Sequence, residues 1–475
     1  MYRFLELFKY FFESGIFWYT VFVFVFNILL AILSARTMVT YMRKNSFVDY
    51  SVLLQSPLAP SVALIAPAFN EGMTIVDNIH SLMSIHYNNF DVIIVNDGSK
   101  DDTLEKVINE FDLEKVNYLY NEAIPTAPVR GIYKSKNKAY AKLIFIDKAN
   151  GGKSDSINAA LNITTKKYFV AIDVDCVIED DALLKMVKPF LEEHGAEKVI
   201  ATGGVIRVAN SCKIENGRIL EVNVPRNLIA RTQVLEYTRS FLMGRMAWSR
   251  LNGLLIISGA FGMFDREIAV KCGGYSTRTV GEDMELVIRM RRYMRDLNQK
   301  FRIVYIPDPL CWTEVPEKIK VLGRQRNRWT RGNIGTLLMH RKLFFNPKYG
   351  LMGTLSYPYW LFFEWMTPII ETVGIFYFLM IALLSSPNWF FFILLLGFVY
   401  FFAVSFSVWS ILFEEFSYHR YNKKSDMMKM IFAAALEPLY YHPLTVYFSL
   451  RGNYHFLIGK GGWGNMERRG FHAPG

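Results

Sequence analysis

The chain has 475 residues, 52% of them hydrophobic and 15% aromatic, with a formal charge of +11 and four cysteines. That length allows two or three folded units, and the apolar content, with a mean hydropathy of +0.16, points to a mixed membrane and globular chain rather than a purely soluble one. Cys176, Cys212, Cys272 and Cys311 are scattered without metal-like spacing, which argues against disulfides and for a reducing compartment; the positive charge, without a zinc-finger, helix-turn-helix or RNA-binding signature, fits lipid headgroups or a phosphorylated substrate and not nucleic acid.

Ile16 to Ser34 is almost wholly apolar and close to the roughly 20 residues that cross a bilayer. Arg36, Arg43 and Lys44 follow it while Glu6 and Glu13 precede it. This charge order is that of an uncleaved anchor with the next segment in the cytoplasm. From Ser61 to Asp308, short apolar runs alternate with helical stretches, the pattern of a mostly parallel sheet with helices on its faces. Strands are predicted at 61–68, 91–97, 116–120, 143–149, 168–175, 199–208 and 302–308, and Asn121 to Tyr140 reads as a long surface loop.

Open α/β sheets bind ligands beyond the carboxyl ends of their strands. The first strand ends in Pro67, Ala68, Phe69, Asn70, Glu71 and Gly72, and the second in Asn96, Asp97, Gly98 and Ser99. Each is a tight turn before a helix, where free N–H groups and an acid can hold a nucleotide. The fourth strand opens on Asn150, Gly151, Gly152, Lys153 and Ser154; Asp147 stands where a P-loop needs its leading glycine. The run YFVAI (168–172) leads into Asp173 and Asp175, which on an extended chain lie about 7 Å apart on one face and can share a divalent cation. By itself an Asp-x-Asp is equally a turn before a helix, because Glu179, Asp180 and Asp181 follow.

Arg226 to Arg250 reads as one long amphipathic helix, lying on the membrane surface or packed in the ordinary way. The small residues in Ser258 to Phe264 would admit a backbone or a sugar ring. Glu282 and Asp283 open a helix, where the dipole favours acids and a carboxylate facing a site can act as general base. Gln325, Arg328 and Trp329, at i, i+3 and i+4, share a helix face; it offers an amide, a guanidinium suited to phosphate and an aromatic plate suited to a sugar. Arg324, Arg326 and Arg331 are expected to form a basic membrane-surface face. Trp360–Leu384 and Asn388–Phe413 should form a transmembrane hairpin linked by Ser385, Ser386 and Pro387. Met427 to Ile458, interrupted by Glu437, Pro438, His442, Pro443 and Arg451, reads as broken or re-entrant helices, and the basic, aromatic tail KGGWGNMERRGF as interfacial.

The order PAFNEG, VNDGS, NGGKSDSIN, DVD, SGAFGMF, GED and RQRNRWTRG resembles the membrane-embedded family-2 glycosyltransferases, among them the cellulose, chitin, hyaluronan and poly-N-acetylglucosamine synthases. The resemblance covers nearly the whole chain. It implies an α/β, GT-A-type mostly parallel sheet with helices on both faces, flanked by transmembrane and interfacial α-helices. The units implied are an N-terminal membrane anchor (1–50), a cytoplasmic glycosyltransferase domain (51–345) and C-terminal transmembrane and interfacial helices (346–475), multi-pass in a bacterial inner membrane. The activity implied is inverting transfer of a sugar from a UDP-sugar, with UDP-N-acetylglucosamine favoured, to a growing β-linked polysaccharide, with Mg or Mn as cofactor. The alternative is a non-processive transferase adding one sugar to a lipid-linked acceptor. The implied partners are the UDP-sugar, that acceptor, the lipid bilayer and a small accessory membrane protein.

Carried over residue by residue, the resemblance implies that Pro67, Glu71 and Asp97 contact the uridine, with Lys153 nearby. Asp173 and Asp175 would hold the diphosphate and its cation, Asp175 the more directly. Asp283 would be the base, and Gln325, Arg328 and Trp329 would hold the diphosphate and the acceptor sugar. Two positions depart from the pattern: Phe69 stands where many members have tyrosine, and Gly281 replaces the common threonine before Glu-Asp.

Overall fold

A computed structural model describes residues 2–56, 58–193, 197–215, 217–384, 389–421 and 423–460. The chain opens with α1 (Tyr2–Asn45), a helix of 44 residues. It extends past Ile16–Ser34 at both ends, since the sequence from Tyr2 to Lys44 holds no proline and a single glycine, Gly15. A short α2 (Tyr50–Gln55) follows, capped by Asp49, whose side chain accepts from the Ser51 N–H at 2.8 Å.

The next segment forms a ten-stranded mixed sheet. Its strands are β1 (Val62–Ala68), β2 (Phe90–Asn96), β3 (Leu113–Val116), β4 (Val129–Ser135), β5 (Leu143–Lys148), β6 (Tyr168–Ile172), β7 (Val177–Ile178), β8 (Lys198–Val208), β11 (Phe261–Asp265) and β12 (Phe301–Thr313); β9 (Lys213–Glu215) and β10 (Arg218–Glu221) pair separately. The order across the sheet is β3-β4-β5-β2-β1-β6-β11-β8-β12-β7. The neighbours β5, β2, β1 and β6 are parallel, and β11 lies antiparallel between β6 and β8. The chain leaves β1 for β2 on one side and later returns to β6 on the other, which makes the carboxyl end of β1 a topological switch point. The apolar runs of these strands are buried almost throughout, as strands covered on both faces require. Helices α3 (Ile75–Met83), α4 (Thr103–Glu110), α5 (Lys153–Ile163) and α6 (Ala182–Leu191) accompany them.

Several expectations shift. The strand predicted at 168–175 ends at Ile172, so Asp173 and Asp175 lie on the turn beyond it. That predicted at 302–308 continues to Thr313, and that at 116–120 ends at Val116. The supposed loop 121–140 contains β4, which pairs antiparallel with β5 and buries Gly131 and Ile132; its charged, exposed residues mask the strand pattern. In place of one regular helix at 226–250 there is α7 (Leu228–Tyr237), a π-helical stretch (Thr238–Arg245) and α8 (Met246–Arg250).

After α9 (Arg266–Lys271), α10 (Glu282–Asp296) and α11 (Ile319–Met339) come α12 (Tyr357–Tyr359), α13 (Thr367–Leu384), α14 (Trp389–Ser417) and α15 (Lys424–Leu457). The segment expected to be broken is the single helix α15, with Pro438 and Pro443 inside it. It lies along α11 at very short range: a Cβ on Gly323 would sit 2.6 Å from the Phe448 ring and one on Gly452 2.7 Å from Thr330. Such packing can outweigh the lost backbone bonds of the two prolines. Among the described residues three helical stretches are long and apolar enough to cross a membrane: Phe12–Asn45, Thr367–Leu384 and Phe392–Ser417. The link Ser385–Pro387 and the tail from Gly461 onward lie outside the described residues.

Candidate active site

The carboxyl ends of β1 and β2 are stitched together before any ligand is considered. Asn70, at φ +56, donates its N–H to Ser99 Oγ at 2.9 Å and accepts from the Lys100 N–H at 2.8 Å; the Glu71 N–H donates to Thr103 Oγ1 at 3.0 Å and that of Gly72 to Asp101 Oδ2 at 3.0 Å. Pro67 and Glu71 line the cavity here, and Phe69, 47% exposed, presents its ring to it.

Asp97 borders the same cavity and is held firmly in place. Its Oδ1 accepts from Lys148 Nζ and the Gly151 N–H, both at 2.9 Å, and its Oδ2 from Asn150 Nδ2 at 3.1 Å and the Gly152 N–H at 2.8 Å. A carboxylate offers about four lone-pair sites, so this buried group is saturated by the turn that starts α5. Gly152, at φ +88, completes that turn, and Lys153 follows in the first residue of α5.

Lys153 bridges the next two features. Its Nζ donates to Asp173 Oδ1 at 2.5 Å and to the Gly259 carbonyl at 3.0 Å, while the Gly259 N–H donates to Asp283 Oδ2 at 3.1 Å. The motif SGAFGMF therefore supplies a backbone that ties the acidic turn after β6 to the start of α10. Burial works against the Lys153 charge, but Asp173, Glu282 and Asp283 outweigh it and hold its pKa above the usual lysine range. Asp283 also accepts from the Met284 N–H at 2.8 Å. Its neighbour Glu282 is buried, and burial first, then the adjacent Asp283 charge, push its carboxyl up to about 7.

One oxygen each from Asp173 and Asp175 and the Cys176 sulfur lie within 4.8 Å of one another. The neighbouring Cys311 and burial raise the Cys176 thiol pKa well above the ordinary value. The group therefore offers two hard carboxylates and a neutral thiol, a donor set that fits Mg or Mn held by Asp173 and Asp175.

On α11, Gln325 is buried, and its Oε1 meets no hydrogen-bond partner among the described residues. Arg328 is half-buried and Trp329 41% exposed. Arg326, expected on a lipid-facing surface, is instead buried. It pairs with Glu236 of α7 (Nη2 to Oε2 2.7 Å), donates to the Tyr441 hydroxyl of α15 at 3.0 Å and lies 4.3 Å from the Trp329 ring centre. Nothing local in GRQRNRWTRG distinguishes it from Arg324 or Arg331; its partners are 90 and 115 positions away.

A continuous cavity of about 2040 Å³ joins these groups. It is lined by Pro67, Glu71, Asp97, Lys153, Asp173, Asp175, Asp283, Gln325, Arg328 and Trp329, the residues to which the resemblance gives a role. Arg239, Trp360, Thr367, Pro368, Glu437, Tyr441 and Thr445 line the same cavity, so residues at the start of α13 and along α15 also border it.

Residues 59–332 match the model of a family described as "Glycosyltransferase like family 2". The chain belongs to that family. This family-2 glycosyltransferase is similar to a poly-beta-1,6-N-acetyl-D-glucosamine synthase of Staphylococcus epidermidis, 27% identical over 278 residues that make up 58% of this chain and 55% of the relative. It is also similar to the enzyme of that name from Staphylococcus aureus strain COL, 26% identical over 311 residues, 65% of this chain and 62% of the relative. The chain thus spans less than two thirds of these relatives. Among solved structures, a mannosyltransferase from Pyrobaculum calidifontis, in complex with GDP-Man and Mn2+, aligns with 88% of this chain and 99% of its own at 17% identity and a TM-score of 0.49. The family and the mixed, mostly parallel sheet with helices are those of a GT-A-type glycosyltransferase.

Proposed function

We propose that this glycosyltransferase transfers N-acetylglucosamine from UDP-N-acetylglucosamine, with inversion, onto a growing β-linked polysaccharide at a bacterial inner membrane. The transferase unit 51–345 would face the cytoplasm, between the anchor 1–50 and the helices of 346–475. The observation that carries the reading is the shared cavity, which borders both the Asp173, Asp175 and Asp283 carboxylates and residues of α13 and α15. A polymer lengthened at Asp283 would have a continuous path toward the membrane helices.

In this reading Asp283 takes the proton from the acceptor hydroxyl. Each of its oxygens accepts one backbone N–H and keeps a lone pair for that proton. The acceptor oxygen bonds to the anomeric carbon as the bond to UDP breaks on the opposite face, so one displacement inverts the configuration. Lys153 and Arg328 would meet the charge that develops on the diphosphate leaving group, Arg328 in the bidentate fashion open to a guanidinium. A bound Mg or Mn, held by Asp173 and Asp175, would neutralise part of that charge. Phe69 and Trp329 would stack on the nucleoside and acceptor sugar, while Pro67 and Glu71 would border the nucleoside. Asp97, held in place by the Asn150–Gly152 turn, would contact the uridine beside them.

A panel of UDP-sugars with the protein in native membranes, followed by NMR of the product, tests this reading. It predicts selective consumption of UDP-N-acetylglucosamine and a β-linked product; an α-linked product would contradict the single displacement.

A further inference from the structure

The helix that carries Asp283 and the helix that carries Arg328 meet through two glycines. Gly281 caps α10 two residues before Asp283, and Gly332 lies one turn beyond Arg328 on α11. A Cβ on Gly281 would sit 2.8 Å from the Gly332 carbonyl oxygen and 2.9 Å from its Cα; one on Gly332 would sit 2.9 Å from the Gly281 Cα and N. These atoms are backbone and cannot swing aside as a flexible side chain can. A turn further along α11, the buried Thr336 Oγ1 donates to the Gly281 carbonyl at 3.4 Å. Deeper in the same interface His340 bonds Glu285 at 3.2 Å and Arg292 at 2.9 Å, and Arg289 clamps Glu285 at 2.6 and 2.8 Å. Burial opposes ionisation of Glu285, but the hydrogen bonds from His340 and Arg289 outweigh it and keep its pKa below the usual range.

Glycine inside a helix weakens it relative to alanine. Gly332 sits mid-helix in α11 at a negative φ, so backbone conformation gives no reason for it. The contact with Gly281 does. With α11 this close, position 281 has no room for a Cβ either.

We propose that Gly281 and Gly332 are positioning residues whose backbone contact sets the separation between Asp283 and the Arg328/Trp329 face, and with it the alignment of acceptor, donor and base. The inference rests on the reading of Asp283 as base. An added methyl, 2.8–2.9 Å from backbone atoms where ordinary contact begins at 3.4 Å, would push the two helices apart by roughly half an ångström, and displacement of reacting groups approaching the ångström scale can cost on the order of tenfold to a hundredfold in rate.

The test is steady-state transfer from UDP-N-acetylglucosamine by the full-length membrane protein with Gly281→Ala, Gly332→Ala and Gly335→Ala. Gly335 lies on the same helix, but a Cβ there would sit 3.5 Å from Thr279 Oγ1, an ordinary contact. The inference predicts that Gly332→Ala and Gly281→Ala lower kcat roughly tenfold to a hundredfold with the donor KM and UDP affinity within about twofold of wild type, and that Gly335→Ala keeps wild-type turnover. Wild-type kcat in both of the first two variants, an equal fall in Gly335→Ala, or a fall in UDP affinity matching the fall in kcat would each overturn it. If the alanine variants do not fold, Thr336→Val removes the hydrogen bond to Gly281 without adding bulk; the same split with a smaller fall in kcat is expected, and unchanged kcat overturns the inference. Asp283→Asn in parallel separates the two readings: retained transfer there removes Asp283 as base, whatever the glycine variants do.

Discussion

The two halves of the site are built by different means. The half proposed to hold the nucleotide is made from strand ends and the turns that leave them, with contacts such as Asp97 to Gly151 and Gly152 or Asn70 to Ser99 fixed between neighbouring strands of one sheet. The half proposed to hold the acceptor is made from helices, with Arg326 held by α7 and α15 and Gly332 pressed on the start of α10. The first half is organised by sheet register, whereas the second depends on how four helices meet. Substitutions in the first should therefore act on donor binding, and those in the second on turnover or on the stability of the helical assembly.

The largest expected effect is in the second half. Asp283→Asn should lower transfer on the order of a thousandfold or more while leaving UDP affinity nearly unchanged, measured by radiolabel incorporation beside UDP binding. The first half should show the opposite signature. Asp175→Asn, or chelation by EDTA, should abolish metal-supported UDP binding and transfer together, and added Mn or Mg should restore only the chelated wild type. If Asp175→Asn lost turnover alone, the division between the halves would fail.

Arg326→Met should act through packing. It leaves Glu236 without its cation and Trp329 without its cationic neighbour, and breaking such a buried pair costs about 3 kcal/mol, read as a lower apparent Tm in detergent. An unchanged Tm would return Arg326 to the surface role expected from sequence. The smallest effect concerns Glu282. Its carboxyl titrates near 7 in the folded protein against an ordinary 4.5, so between those values the folded form holds a proton that the unfolded form has released. Its contribution to stability is therefore full below about 4.5 and lost as pH rises through about 7. Glu282→Gln should flatten this part of the Tm-against-pH curve; an unaltered slope would place the titration elsewhere.

This division also explains what the sequence reveals. Strands β1, β2, β5, β6 and β8 announce themselves as apolar runs, and the turn motifs beyond them are local, so the residues of the nucleotide corner can be found by reading along the chain. Even there, the lone-pair saturation of Asp97 is invisible, because Lys148 and the 150–152 turn reach it only across the sheet. In the helical half, Gln325, Arg328 and Trp329 are legible from helical spacing. Arg326 is not, since its spacing resembles that of the other arginines and its partners lie in α7 and α15. Helix α15 is misread for a similar reason: Pro438 and Pro443 predict a break, while the packing that keeps the helix whole is supplied by Gly323 and Gly452 on two separate elements.

The central claim is that one cavity serves both chemistry and chain growth. Its most direct test is the length of the product made from radiolabelled UDP-N-acetylglucosamine by the purified protein in lipid vesicles. The account predicts long β-linked chains from early in the reaction, with few short intermediates. A product that stops at one added sugar on a lipid-linked acceptor would contradict it.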